Sequence, residues 1–138
     1  MGKADLVLVV ALVLVAAGCG GGKDEQTVTV ACNDAAFRAQ DEELYVTKTA
    51  VSNAIGGAGE RAALLLDLRR ARKALGTYLD AHPPCGDDLV AIAATEQKAI
   101  GSLDQGIDAL SGGKDAGKPL ADSLAALTEA QSTLASGS

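Results

Sequence analysis

From Asn33 onward, apolar residues recur at the three- and four-residue spacing of amphipathic helices. One such pattern covers residues 33–55, and a second, over 60–81, is the most regular in the chain. A third begins near Gly86, and a fourth follows Pro119, a residue that suits the first turn of a helix. Glycine-rich or proline-rich stretches separate the four patterns. The sequence therefore predicts four helices.

Short connections between helices favour an up-down-up-down bundle, because consecutive helices then pack antiparallel. The first two helices would each be about 33 Å long at roughly 1.5 Å per residue. Alanine is abundant in all four, which allows close approach of the helix axes but leaves little apolar area to bury. The predicted class is an all-α, up-down-up-down four-helix bundle over residues 32–138. A three-helix bundle with a loose C-terminal helix is the alternative.

The amino-terminal residues have a different pattern. An apolar run over 6–17 follows Lys3 and precedes a glycine cluster, which is the order of an export signal. The run is shorter than the roughly 20 apolar residues of a membrane-spanning helix. It closes on Ala16-Ala17-Gly18-Cys19. This stretch resembles the lipobox of bacterial lipoproteins, in which a cysteine follows small residues at the cleavage point.

The resemblance implies that residues 1–18 are a lipoprotein signal peptide and that Cys19 becomes the first residue, carrying diacylglycerol. It implies attachment to the cell membrane or outer membrane, facing the periplasm or the exterior. Gly20, where an inner-membrane lipoprotein often has Asp, favours the outer membrane where one exists. Residues 19–31 would form a flexible, glycine-rich tether. An ordinary signal peptide and a spanning helix are the alternatives, and the resemblance is confined to residues 1–19.

Assigning Cys19 to a lipid leaves Cys32 and Cys85 as an even pair in an oxidising compartment, which predicts one disulfide. Two helices of equal length, one rising and one returning, would bring these two cysteines to the same end of the bundle. The disulfide and the helical hairpin thus support each other, because the cysteine count predicts the first and the helical period predicts the second. A bridge closing a loop of about fifty residues stabilises by about 4 kcal/mol in the chain-entropy model.

Composition and charge disfavour several classes of function. The chain has 12 basic and 18 acidic residues, a net charge of −6, which disfavours binding to nucleic acid. Two Tyr, one Phe and no Trp leave too few aromatic residues for a base-stacking platform. No nucleophile paired with a base, phosphate-binding glycine loop or metal-ligand set is recognisable. We therefore expect no enzymatic activity, no metal and no cofactor besides the lipid on Cys19.

Charged residues interrupt the predicted apolar stripes. Glu96 lies within the stripe of the third helix and Lys48 within that of the first, while Arg72 lies at the edge of the second. A buried, unpaired carboxylate is costly. We therefore expect a buried ion pair between Glu96 and Arg72 or Lys48. A structural pair is the main interpretation, and a ligand or proton site is the alternative.

One basic cluster lies on the outer face of the second helix. It consists of Arg69, Arg70 and Lys73, with Leu66 among them. A solvated face balanced by nearby acidic residues is the simplest interpretation. An exposed leucine among arginines is also typical of interfaces, so the cluster is a candidate surface for an envelope protein or polymer. The sequence thus predicts a non-enzymatic interaction or structural module. The alternative is a small-ligand carrier or sensor with a pocket between the helices.

Overall fold

Five helices make up most of the chain that the computed structural model describes, which is residues 30–57 and 59–137. The predicted signal peptide and Cys19 lie outside the described residues. The helices are α1 (Asp34–Arg38), α2 (Asp41–Gly56), α3 (Arg61–Ala81), α4 (Asp87–Ser111) and α5 (Gly117–Ser136). No strand occurs in the described ranges.

The four long helices form a closed ring. α2 packs on α3, α3 on α4 and α4 on α5, and α5 returns to pack on α2. The predicted up-down-up-down bundle is confirmed. The three-helix alternative is wrong, because α5 makes its most extensive contacts with α4 and buries Leu120, Leu127 and Leu134.

The α4–α5 contact depends on a glycine. Gly106 is buried in α4, and Leu120 of α5 occupies the space that a side chain at this position would need. A Cβ built on Gly106 would lie 2.8 Å from Cγ of Leu120. The absence of a side chain therefore lets the first turn of α5 pack closely against α4.

The first predicted helix is divided in two, so the expectation of one continuous helix of about 33 Å is wrong. Ala39 and Gln40 are not helical. At the end of α1 the Ala36 carbonyl still accepts from the backbone N–H of Ala39 at 3.1 Å, whereas the Phe37 carbonyl accepts from a side chain, Gln40 Nε2, at 2.8 Å. Side chains that insert into the backbone hydrogen-bond ladder are a recognised cause of helix kinks. The apolar period continues across the break, since Phe37 and Leu44 are both buried.

The glycine-rich stretch after α2 ends that helix, as predicted. Gly57 has φ 67°, in the left-handed region that favours glycine, and its N–H donates to the Ala54 carbonyl at 3.2 Å. The buried part of α2 ends at Val51. Ile55, the residue at which the predicted pattern over 33–55 ends, is therefore exposed in the last turn.

Candidate functional site

The most unusual group in the bundle is Glu96, in the middle of α4. Its side chain is 0% exposed, which confirms the prediction that this residue is buried. Glu96 Oε1 accepts a long hydrogen bond, 3.5 Å, from Nε2 of Gln40, which is also fully buried. Glu96 Oε2 and Gln40 Oε1 have no hydrogen-bond partner in the described part of the chain.

Both unpartnered atoms of this pair are acceptors, so the pair lacks a donor. A proton on the carboxyl group would supply one. Burial disfavours the charged form of a carboxyl group, and it raises the pKa of Glu96 to about 7, while the hydrogen bond from Gln40 acts in the opposite direction. The geometry therefore favours a neutral carboxylic acid at Glu96 below about pH 7.

The predicted ion pair of Glu96 with Arg72 or Lys48 is not formed. Arg72 donates from Nε and Nη2 to the carboxylate of Asp104, at 2.9 and 3.1 Å, and this hydrogen bonding raises the pKa of Arg72. Lys48 Nζ donates to Oε1 of Gln131 at 2.7 Å. The Arg72 and Asp104 side chains are 40% and 47% exposed, so both charges stay in contact with water. A cation that reached Glu96 would lose its bound water. The free-energy cost of that desolvation is larger than the cost of forming a partly exposed ion pair.

The helix break beside Glu96 is fixed from α3 as well. The Tyr78 hydroxyl lies 2.6 Å from the carbonyl oxygen of Ala36 and 2.9 Å from that of Ala39, and the two acceptors share its single proton. Burial, with a smaller effect of the Glu43 carboxylate, raises the pKa of Tyr78, so its hydroxyl remains a donor. The backbone around Gln40 is thus held by bonds from two elements, and its amide is directed into the core.

The predicted disulfide between Cys32 and Cys85 is confirmed, with the two Cα atoms 5.2 Å apart. The Asp34 carboxylate accepts hydrogen bonds from the backbone N–H of Cys85 at 2.6 Å and of Gly86 at 3.2 Å. These two donors lower the pKa of Asp34. The covalent bond and the carboxylate together attach the start of α1 to the connection between α3 and α4.

An open groove of about 410 Å³ lies on the outer surface between α2 and α3. Tyr45 and Val46 line it from α2 and are 67% and 45% exposed. A second concavity, of about 450 Å³, continues along α3, is lined by residues of α3 and by His82 without any residue of α2, and shares Arg70 and Ala74 with the first. The two together are called the α2/α3 groove, and its principal lining residues are Tyr45, Val46, Ala50, Arg70, Ala71 and Ala74.

The predicted basic cluster lies beside this groove. Arg70 and Lys73 line it, while Leu66, which is 47% exposed, and Arg69 lie on the adjoining outer face of α3. Within residues 30–57 and 59–137, no carboxylate forms a salt bridge with any of these three cations. In a simple solvated face, nearby acidic residues would neutralise these cations. Among the described residues, no direct ion pair provides that neutralisation.

Three residues of these sites were not predicted from the sequence, namely Gln40, Tyr45 and Val46, although two of these positions carried a signal. Gln40 lies three residues after Phe37 and four before Leu44, so it is a polar position on an apolar stripe. Tyr45 is an aromatic residue off the stripe in a chain with only two tyrosines. Val46 carried no comparable signal, because single exposed apolar residues are common on protein surfaces.

Glu96 lines neither part of the α2/α3 groove nor the two smaller concavities on the bundle surface. In the described part of the chain, no helix is long and apolar enough to cross a membrane, and no group of three or more potential metal ligands occurs. No protein-family model, curated protein or solved structure matches the chain. Any role inferred for the α2/α3 groove or for the Glu96–Gln40 pair therefore depends on the geometry of this molecule alone.

Proposed function

We propose that this protein is a lipid-anchored, non-enzymatic interaction module of the bacterial cell envelope. The observation that carries the interaction role is the α2/α3 groove, an exposed apolar surface beside three cations without a salt-bridge partner in the described ranges. Exposed apolar concavities with polar rims are characteristic of interaction sites.

The anchor rests on the Ala16-Ala17-Gly18-Cys19 stretch. A tether over residues 19–31 would allow a distance of at most about 40 Å between the bundle and the bilayer, at roughly 3.3 Å per residue. Confinement to this layer raises the effective concentration of partners in the same membrane. A groove of modest affinity would then be sufficient for function.

The Cys19→Ser substitution tests the anchor. We expect the variant to leave the membrane fraction and appear in the soluble fraction of the envelope, because its acyl chains are lost. The disulfide and the helices lie outside the changed position, so the circular dichroism spectrum should be unchanged. A Cys19→Ser protein that still sediments with membranes would refute lipid anchoring and favour a spanning segment.

The interaction role is tested by photo-crosslinking in living cells. A photoreactive amino acid, p-benzoylphenylalanine, is placed at Tyr45 in the groove and, as a control, at Val90, an exposed apolar residue of α4. We expect a protein adduct from position 45. If neither position, nor a further set distributed over the exposed faces of all four long helices, captures a protein, the interaction module is refuted.

A further inference from the structure

The α2/α3 groove has the length of several helical turns. Its two parts extend along α3 from Asp67 to His82. The fifteen intervals between these sixteen residues, at roughly 1.5 Å each, give about 22 Å. A groove of this length accommodates about four turns of a partner helix lying along α3.

The floor and one wall of the groove suit the apolar face of a helix. Alanines at positions 50, 71 and 74 form the floor, and side chains this small allow a helix axis to approach to about 8 Å. Tyr45 and Val46 stand at the α2 wall and are largely exposed. Tyrosine is among the residues that most often dominate the binding energy of interfaces.

The charge at the α3 rim is opposite to that of the whole chain. Arg70 and Lys73 line the groove, Arg69 is nearby, and the described residues provide no salt bridge to any of them, whereas the net charge is −6. Asp67, at one end, is the acidic residue that lines the groove. An acidic partner is therefore attracted to this rim and repelled by the rest of the molecule, which orients its approach.

We propose that the α2/α3 groove binds an acidic amphipathic helix of another envelope protein, with its apolar face on the alanine floor and its carboxylates on Arg70 and Lys73. This inference rests on the proposed function. A flat bilayer surface fits a concave groove poorly, and three cations give only weak attraction to anionic lipid. An extended anionic polymer would use the cations but leave Tyr45 and Val46 uncovered.

The test extends the crosslinking from position 45 in the full-length protein in living cells. The adduct is digested, and mass spectrometry identifies the captured segment. We expect a segment rich in Asp and Glu, with apolar residues at helical spacing. The double substitution Arg70→Glu, Lys73→Glu should lower the yield of this adduct by about tenfold or more, because favourable charge pairs at the rim become repulsive.

The matched control is Lys98→Glu, Lys114→Glu, which changes the net charge by the same amount at exposed positions outside the groove. Its adduct yield should equal that of the parent, and circular dichroism should show all variants to be folded. The inference is overturned by a basic or non-amphipathic captured segment, by a lipid or polymer adduct, or by an unchanged yield after charge reversal at Arg70 and Lys73. Capture of a protein only from Val90 also overturns it, but leaves the interaction module standing.

Discussion

The Glu96→Gln substitution removes the titrating group from the buried pair while keeping its size. The new amide still offers an N–H donor to the unpartnered Oε1 of Gln40. The substitution therefore preserves the neutral arrangement of the pair and prevents its ionisation. The expected result depends on pH, because the parent chain changes charge at this position and the variant does not.

The pKa of Glu96 is raised from 4.5 to about 7. Between these values the folded chain keeps the proton that the unfolded chain has released. Because the folded state binds more protons in this window, the free energy of unfolding of the parent falls as the pH rises through it. At roughly 1.36 kcal/mol per pKa unit, the total loss is about 3 kcal/mol. Below the window both states are protonated, and above it both are ionised, so Glu96 adds no further slope.

Urea unfolding followed by circular dichroism between about pH 4.5 and pH 8.5 measures this effect. We expect Glu96→Gln to have nearly the stability of the parent at the acidic end and to exceed it by about 3 kcal/mol at the alkaline end. Other groups with shifted pKa values, such as Asp34, contribute equally to both proteins and cancel in the difference. The control Glu129→Gln makes the same chemical change at an exposed position of α5, where we expect a difference within about 0.5 kcal/mol at every pH.

A difference between Glu96→Gln and the parent that stays constant across this pH range would refute the reasoning. It would mean that Glu96 is ionised in the folded state at all these pH values, with water or a cation reaching the carboxylate. A difference of the opposite sign at alkaline pH would show that the charged form makes a favourable interaction inside the bundle.

Two further predictions concern the scaffold. Replacing Cys32 and Cys85 together by serine should lower the free energy of unfolding by about 4 kcal/mol, as expected for a bridge across a loop of about fifty residues; an unchanged urea midpoint would show that the bridge adds nothing. Gly106→Ala should destabilise by about 1 to 3 kcal/mol, because the added methyl group overlaps Leu120 and the close contact must open. Alanine at this helical position would otherwise stabilise by roughly 0.5–1 kcal/mol, so a more stable variant in the same assay would mean that α5 moves away at little cost.

Helical periodicity predicted the architecture because the stripes of α3, α4 and α5 each belong to a single helix. Leu68 and Leu75 on α3, and Leu103 on α4, are buried where the pattern places them. The closed ring followed from short connections. The break at Ala39 and Gln40 could not be predicted in this way, because hydrogen bonds to side chains cause it and the apolar period continues across it.

The groove was predicted only in part, since it belongs to two helices. The sequence identified the exposed basic residues of α3, because they interrupt no stripe and lie near one another along one helix. It did not identify Tyr45 and Val46, whose proximity to Arg70 depends on how α2 and α3 pack together. A surface formed by two helices becomes visible only when their axial register is known.

The same limit explains why the position of Glu96 was predicted and its partner was not. Burial depends on the face of one helix, whereas the partner depends on the relative heights of several. Arg72 was expected to pair with Glu96, but its long side chain can also reach Asp104 at the surface. The desolvation of a cation decides between these two carboxylates and favours the partly exposed one. That choice left the uncharged amide of Gln40 as the only hydrogen-bond partner of the Glu96 side chain among the described residues. Burial, against the opposing effect of that hydrogen bond, then keeps Glu96 neutral below about pH 7.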